Sequence, residues 1–238
     1  MKTNQYVIFW MMALVLATGS CKDDNAEPNK AIVLLETDFN KGADGWKAVY
    51  AAYPEADADF YELVSGIKPL PASLDQTKSS FLLSGNNHSD ALQMFLVKQL
   101  SGLTPKTSYS VETEVELASK YPDGSIGIGG SPGNSVYLVS KYSTLGYTLN
   151  KDKSGNIELV MSKVESTPES VLNVDLGDVS IPSDQYVYQL ISRKKASAPE
   201  VVQSDQQGKL WAVIGTWSGF EGISSLYYTR IKVTLTKK

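Results

Sequence analysis

The chain has 238 residues and a formal net charge of −4, from 22 Lys and Arg against 26 Asp and Glu. Its basic residues form no block, which argues against a nucleic-acid partner. A single histidine, His88, argues against a histidine-based metal centre, and a single cysteine, Cys21, allows no disulfide within the chain.

The N-terminus is the most legible stretch. Lys2 supplies a positive start, Val7 to Ala17 is an apolar run of 11 residues, and Thr18-Gly19-Ser20 are small. A bilayer core needs about 20 apolar helical residues, so the run reads as a removed targeting segment. The stretch resembles a bacterial lipoprotein signal, which implies that Cys21 becomes the lipidated first residue. Thr18 stands where such signals usually carry Leu, and Ala17-Thr18-Gly19 could instead serve an ordinary signal peptidase. Lys22-Asp23-Asp24 resembles the export signal that sends lipoproteins of Bacteroidota to the outer face of the outer membrane. The resemblance therefore implies a lipid-anchored, surface-exposed protein, with residues 1–20 as signal and 21–30 as tether; no repeat or linker interrupts residues 31–238, which read as one domain.

From Ala31 onward the apolar pattern has period two. The clearest strand is Tyr109 to Leu117, in which Tyr109, Val111, Thr113, Val115 and Leu117 share one face, and Ser110, Glu112, Glu114 and Glu116 share the other. Such alternation predicts a sheet with one packed and one wet face. The three glutamates read as a solvated face. Further strands are expected at Ala31–Leu35, Phe60–Val64, Ser79–Leu83, Met94–Leu100, Val136–Ser140, Ile157–Lys163, Tyr186–Ser192, Lys209–Gly215 and Leu226–Leu235. Turn residues such as Lys68-Pro69-Leu70-Pro71, Pro122-Asp123-Gly124 and Ser154-Gly155-Asn156 separate them. Many short strands without a helical period predict an all-β chain, a two-sheet antiparallel β-sandwich of jelly-roll type.

Ser101-Gly102-Leu103-Thr104-Pro105-Lys106-Thr107-Ser108-Tyr109, Thr37-Asp38-Phe39-Asn40 through Gly45-Trp46, and the closing Leu226 to Val233 resemble galactose-binding-like jelly rolls and carbohydrate-binding modules. The closing strand departs from them at Thr229 and Arg230, near which an acidic residue is common. Residues 36–235 are also similar to uncharacterised secreted bacterial proteins that share a GGSPG and a GTxSGFEG segment. The resemblance implies a fold and an address, without a catalytic assignment.

Four segments are candidates for chemistry. In Glu55 to Glu62, Glu55, Asp57 and Asp59 alternate, so an extended backbone would aim three carboxylates one way. A solvated acidic edge is the plainer reading, and the alternative is a structural calcium site completed by distant loops. The loop Ser84 to Asp90 offers Asn87, His88 and Asp90, either as Asx-turn groups or as ligand contacts. Gly127 to Asn134 lacks the Gly-Lys-Ser/Thr ending of a phosphate loop and reads as a tight connection. Gly215 to Gly222 holds Trp217 and Phe220 between glycines, with Thr216 and Glu221 beside them. Its rings either stack on sugar faces or tuck beneath the loop to close the sandwich.

The favoured reading is a non-catalytic binding domain for glycan, with no cofactor. One alternative is a glycoside hydrolase or lyase pairing Glu221 with an acid from Glu55–Glu62 or with Asp90. The other is a structural or adhesive surface protein.

Overall fold

A computed structural model describes residues 32–164, 168–196 and 201–238. The expected signal, Cys21 and the tether lie outside the described residues. Strands make up 59% of the structure and helix 4%. In chain order they are β1 (Ile32–Asp38), β2 (Lys47–Ala51), β3 (Tyr53–Pro54), β4 (Val64–Pro69), β5 (Ser79–Asn87), β6 (Gln93–Leu100), β7 (Ser108–Ser119), β8 (Tyr121–Pro122) and β9 (Val136–Ser143). They continue as β10 (Tyr147–Lys151), β11 (Asn156–Met161), β12 (Val171–Asp178), β13 (Ser180–Ile181), β14 (Gln189–Ala196), β15 (Val202–Gln203), β16 (Leu210–Ser218) and β17 (Gly222–Lys237).

Two antiparallel sheets face each other as a jelly-roll β-sandwich. The first runs β14-β7-β17-β5-β4, with β1 also pairing with β17 and β15 with β7. Here β17 acts as a spine: β7 lies along one side, while β5 and then β1 share the other. The second sheet runs β12-β9-β16-β6-β2. Between them, one apolar cluster includes Leu83, Met94, Val115, Leu117, Leu138, Ile214, Tyr228 and Val233.

The alternation of β7 is observed as expected, with Tyr109, Val111, Thr113, Val115 and Leu117 all buried. The glutamate face differs from the plain solvated surface that the sequence suggests. Arg230 lies 2.6 Å from Glu114 and 3.7 Å from Glu116, and Lys194 lies 3.1 Å from Glu112. Cross-strand neighbours on β14 and β17 thus answer the row of negative charge.

A polar tie crosses the core. The Thr113 hydroxyl on β7 lies 2.7 Å from the Tyr142 hydroxyl and 3.1 Å from that of Ser140, both on β9. Burial raises the pKa of the Tyr142 phenol, while its bonds to Thr113 and Ser140 pull the other way. A buried hydroxyl without a partner is destabilising, so these three groups hold the sheets in one register.

The second sheet is packed on both faces. Val49, Phe95, Val97 and Val213 point away from the main core and form a second, smaller one. Tyr147, Leu159 and Met161 of the β10–β11 hairpin close over them. The hairpin is extended by β3, giving a third small sheet of order β10-β11-β3.

The expected strand at Phe60–Val64 is a correction. Residues Glu55–Asp57 form a 3-10 turn, the chain turns again through Leu63, and the strand begins at Val64. The Phe60 and Tyr61 N–H groups donate to the Asp57 carbonyl, so local bonds replace ladder bonds. Tyr61 is buried and Phe60 is exposed, which mimics strand alternation in the sequence.

Replacing Thr113 with Val removes the inter-sheet tie and leaves the Tyr142 and Ser140 hydroxyls buried with fewer partners. Urea unfolding should show a loss of about 1–3 kcal/mol, with the far-UV circular dichroism of the native state unchanged.

Candidate functional site

On β16, Leu210, Ala212 and Ile214 enter the main core, whereas Val213 enters the second one. Side chains alternate along a strand, so Trp211, Gly215 and Trp217 share the outward face with Val213. The same logic puts Gln93 and Gln99 of β6, and Tyr137 and Lys141 of β9, on that face beside Phe95, Val97 and Val139. One strand therefore carries two outward tryptophans six positions apart, about 20 Å at the rise of an extended chain.

At one end Trp217 and Tyr137 are cross-strand partners. Their rings stack with centroids 5.0 Å apart and planes 18° from parallel. Trp217 is 41% and Tyr137 39% exposed. Large aromatic rings normally bury most of their surface, so a parallel pair open to solvent is a platform. Gln93 pairs with Trp217 from the other side, and its Oε1 is buried without a hydrogen-bond partner.

At the opposite end Trp211 meets Tyr147 edge to face, centroids 5.8 Å apart. Together with Gly45, Lys47, Val97, Lys98 and Gln99 they line a cleft of about 310 Å³. Aromatic walls with a few polar groups are what small-ligand sites use. The hairpin sits over the centre of the face, between the two aromatic ends.

Gly215 permits this arrangement. A Cβ there would lie 2.1 Å from the Met94 carbonyl oxygen and 2.8 Å from the Phe95 Cα. Lys141, on the neighbouring strand β9, brings its Nζ 5.0 Å from the Phe95 ring centroid. Burial lowers the Lys141 pKa below the usual lysine range.

The residues expected from the Gly215 to Gly222 segment divide. Trp217 is on the strand rather than in a loop, and it is open. Phe220 tucks inward: it packs against the main core, and a Cβ on Gly127 or Gly222 would collide with its ring. Thr216 is fully buried, its hydroxyl without a partner. Glu221 is held by an isolated bridge, its N–H donating to the Ile128 carbonyl, with its side chain against Gly129. Only Trp217 of the four belongs to the platform.

Asn87 is a structural residue, which corrects its assignment as a ligand contact. It is buried, and its Nδ2 donates to the carbonyls of Ser218 and Phe220 at 3.0 and 2.7 Å. Its Oδ1 accepts from the N–H groups of Ser89 and Leu92. His88 stacks on Phe60 at 3.7 Å, with Nε2 3.1 Å from the Phe60 carbonyl. Asp90 is exposed in a left-handed turn. The structure thus joins the first two candidate segments through a His88–Phe60 pair, and Asp90 caps no site.

The carboxylates of Glu55, Asp57 and Asp59 do not share one face, because the 3-10 turn breaks the extended spacing on which the calcium reading depends. Glu55 forms an ion pair with Lys151. Among the described residues no group of three potential metal-ligating side chains is found. In the glycine-rich segment, Gly129 and Gly130 have positive φ and pack against Gly219 and Ser135, as a tight connection requires.

No protein-family model matches the chain, and no curated protein matches it. Solved structures with a similar fold do. One is a carbohydrate-binding module, TmCBM27, described for specific mannan recognition: 11% identical, covering 87% of this chain and 99% of that one, TM-score 0.41. Another is the K3 cleaved adhesin domain of Lys-gingipain from Porphyromonas gingivalis, 15% identical, covering 86% and 99%, TM-score 0.38. A third is the enzymatically active domain of tailspike protein 4 of bacteriophage CBA120, 8% identical, TM-score 0.36; this chain spans 20% of its length.

Asn87→Ala removes bonds to four backbone groups, of which the Phe220 carbonyl keeps the Ser218 hydroxyl as a donor, and should lower stability by at least about 2 kcal/mol. Trp217→Ala removes an exposed ring and should lower it by less than about 1.5 kcal/mol. Parallel urea titrations of the two variants check the difference.

Proposed function

We propose that this chain is a non-catalytic glycan-binding domain, held outside the cell by a lipid on Cys21. The observation that carries the reading is the parallel, solvent-open stack of Trp217 on Tyr137. Sugars present C–H faces to aromatic rings, and a rigid flat pair gains contact area with little loss of side-chain freedom. The stack rests on a sheet packed on both faces, so it is held in place before a ligand arrives, and pre-organisation reduces the entropy lost on binding. The cleft at Trp211 and Tyr147 lies on the same face and offers a second contact for an extended chain.

The address rests on the N-terminal residues. A lipid anchor at Cys21 would suit capture of polymers at the cell surface, since a tether of residues 21–30 keeps the domain near the membrane. Stable anchoring takes more than one acyl chain, which the lipoprotein resemblance supplies.

Two measurements test this. In isothermal titration against a panel of polysaccharides, at least one should bind, and Trp217→Ala should weaken it by about tenfold or more with its melting unchanged. Silence across the panel by a folded protein would reject the reading. In the native host, Cys21→Ser should move the protein from the membrane to the soluble fraction, and intact mass should lose its acyl increment.

A further inference from the structure

Resting on the glycan-binding reading, we infer that the ligand is an acidic glycan whose sugar carboxylate is received by the Lys141 ammonium beside the Trp217–Tyr137 platform.

Lys141 is on the same outward face of β9 as Tyr137, four positions along. Its side chain does not run out to solvent. It reaches across β16 and brings Nζ 5.0 Å from the centroid of Phe95 on β6. Phe95 pairs with Gly215 across the strands, one outward row from the Gln93–Trp217–Tyr137 row. Adjacent rows on one face are separated by about 7 Å, roughly the span of one sugar ring. The cation and the platform are therefore spaced as neighbouring parts of one site.

The ammonium has no anion of its own. Neither an ion pair nor a hydrogen bond joins it to another described residue. Asp175, outward on the adjoining edge strand β12, is the nearest acid by register, since it pairs with Val139. Its Oδ1 instead accepts from the Gly177 N–H at 2.9 Å, and Lys141 turns away from it. Surrounding outward positions on β16 and β6 are Val213, Gly215, Phe95 and Val97, all uncharged.

An ammonium carries three donors, and a partly buried charge is unfavourable unless paired. A ring face satisfies such a cation only weakly. Burial alone lowers the Lys141 pKa, with no acid acting against it. A neutral polymer would leave that charge as unpaired in the complex as before. A uronate carboxylate would supply the missing acceptor, at a place where partial exclusion of water strengthens the attraction.

The test uses polygalacturonate, alginate and a glucuronoxylan, each beside its carboxyl-reduced, neutral counterpart, with wild type, Lys141→Met, Lys141→Arg and Trp217→Ala. At least one acidic polymer should bind about tenfold or more tightly than its reduced form. Added salt should erode that preference, Lys141→Met should abolish it, and Lys141→Arg should keep most of it. Methionine preserves the apolar length over Phe95, and unchanged melting verifies the fold. If neutral polymers bind through Trp217 and Lys141→Met changes nothing, the acidic inference falls while glycan binding stands. If no polymer binds folded wild type, both fall.

Discussion

The structure depends on strand β16 being buried on both sides. One side fills the sandwich core with Leu210, Ala212 and Ile214, while the other sends Val213 beneath the β10–β11 hairpin. A central strand packed this way cannot shift register without exposing one apolar row and burying polar groups in the other. That constraint fixes the positions of Trp211 and Trp217 relative to each other and to the strands beside them. The aromatic ends of the face are therefore consequences of core packing.

Close backbone approach at Gly215 is part of the same constraint. Any side chain there would meet the β6 backbone, so the β16–β6 contact demands glycine. Packing thus leaves a half-buried cation and two open rings on the same face of one sheet. Inside the sandwich, the Thr113–Tyr142–Ser140 contacts tie this sheet to the opposing one, and on that sheet's outer face the Glu114–Arg230 pair links β7 to β17. Ser140 and Tyr142 point inward on either side of Lys141, so the hydroxyl contacts hold the strand that presents it.

The strands most legible in the sequence were those with one wet face, above all Ser108–Ser119, whose alternation is nearly complete. Val171–Asp178 has the same pattern, with Leu172, Val174 and Leu176 inward, yet no strand was expected there; the signal was present. Lys47–Ala51 and Tyr147–Lys151 gave no such signal, because β2 contributes to both cores and β10 is an exposed lid strand. Phe60–Val64 misled because turn residues alternated in burial without a ladder. Trp217 stands out in the sequence for its chemistry, but its partner Tyr137 does not. The pairing is a matter of register between strands about 80 residues apart, which local pattern does not encode. Outward alternation from Trp211 to Trp217 could have placed both tryptophans on one face. The approach of Lys141 to Phe95 is not legible that way, since it spans three strands distant in sequence.

Asn87 shows how a plausible ligand residue becomes part of the scaffold. Asn, His, Ser and Asp in one loop suggest chemistry to a sequence reader, yet the amide of Asn87 is fully used in joining two loops. Phe220 was equally ambiguous beside Trp217, and burial separated them. In both cases the deciding quantity was access to solvent.

Localising bound glycan by indole and backbone NMR shifts tests the central claim most directly. The account predicts that a binding polysaccharide perturbs the Trp217 indole and the Tyr137, Gly215 and Lys141 amides of the second sheet's outer face. Perturbations confined to the His88–Phe60 loops or to the Arg230 surface, with Trp217 unmoved, would contradict it.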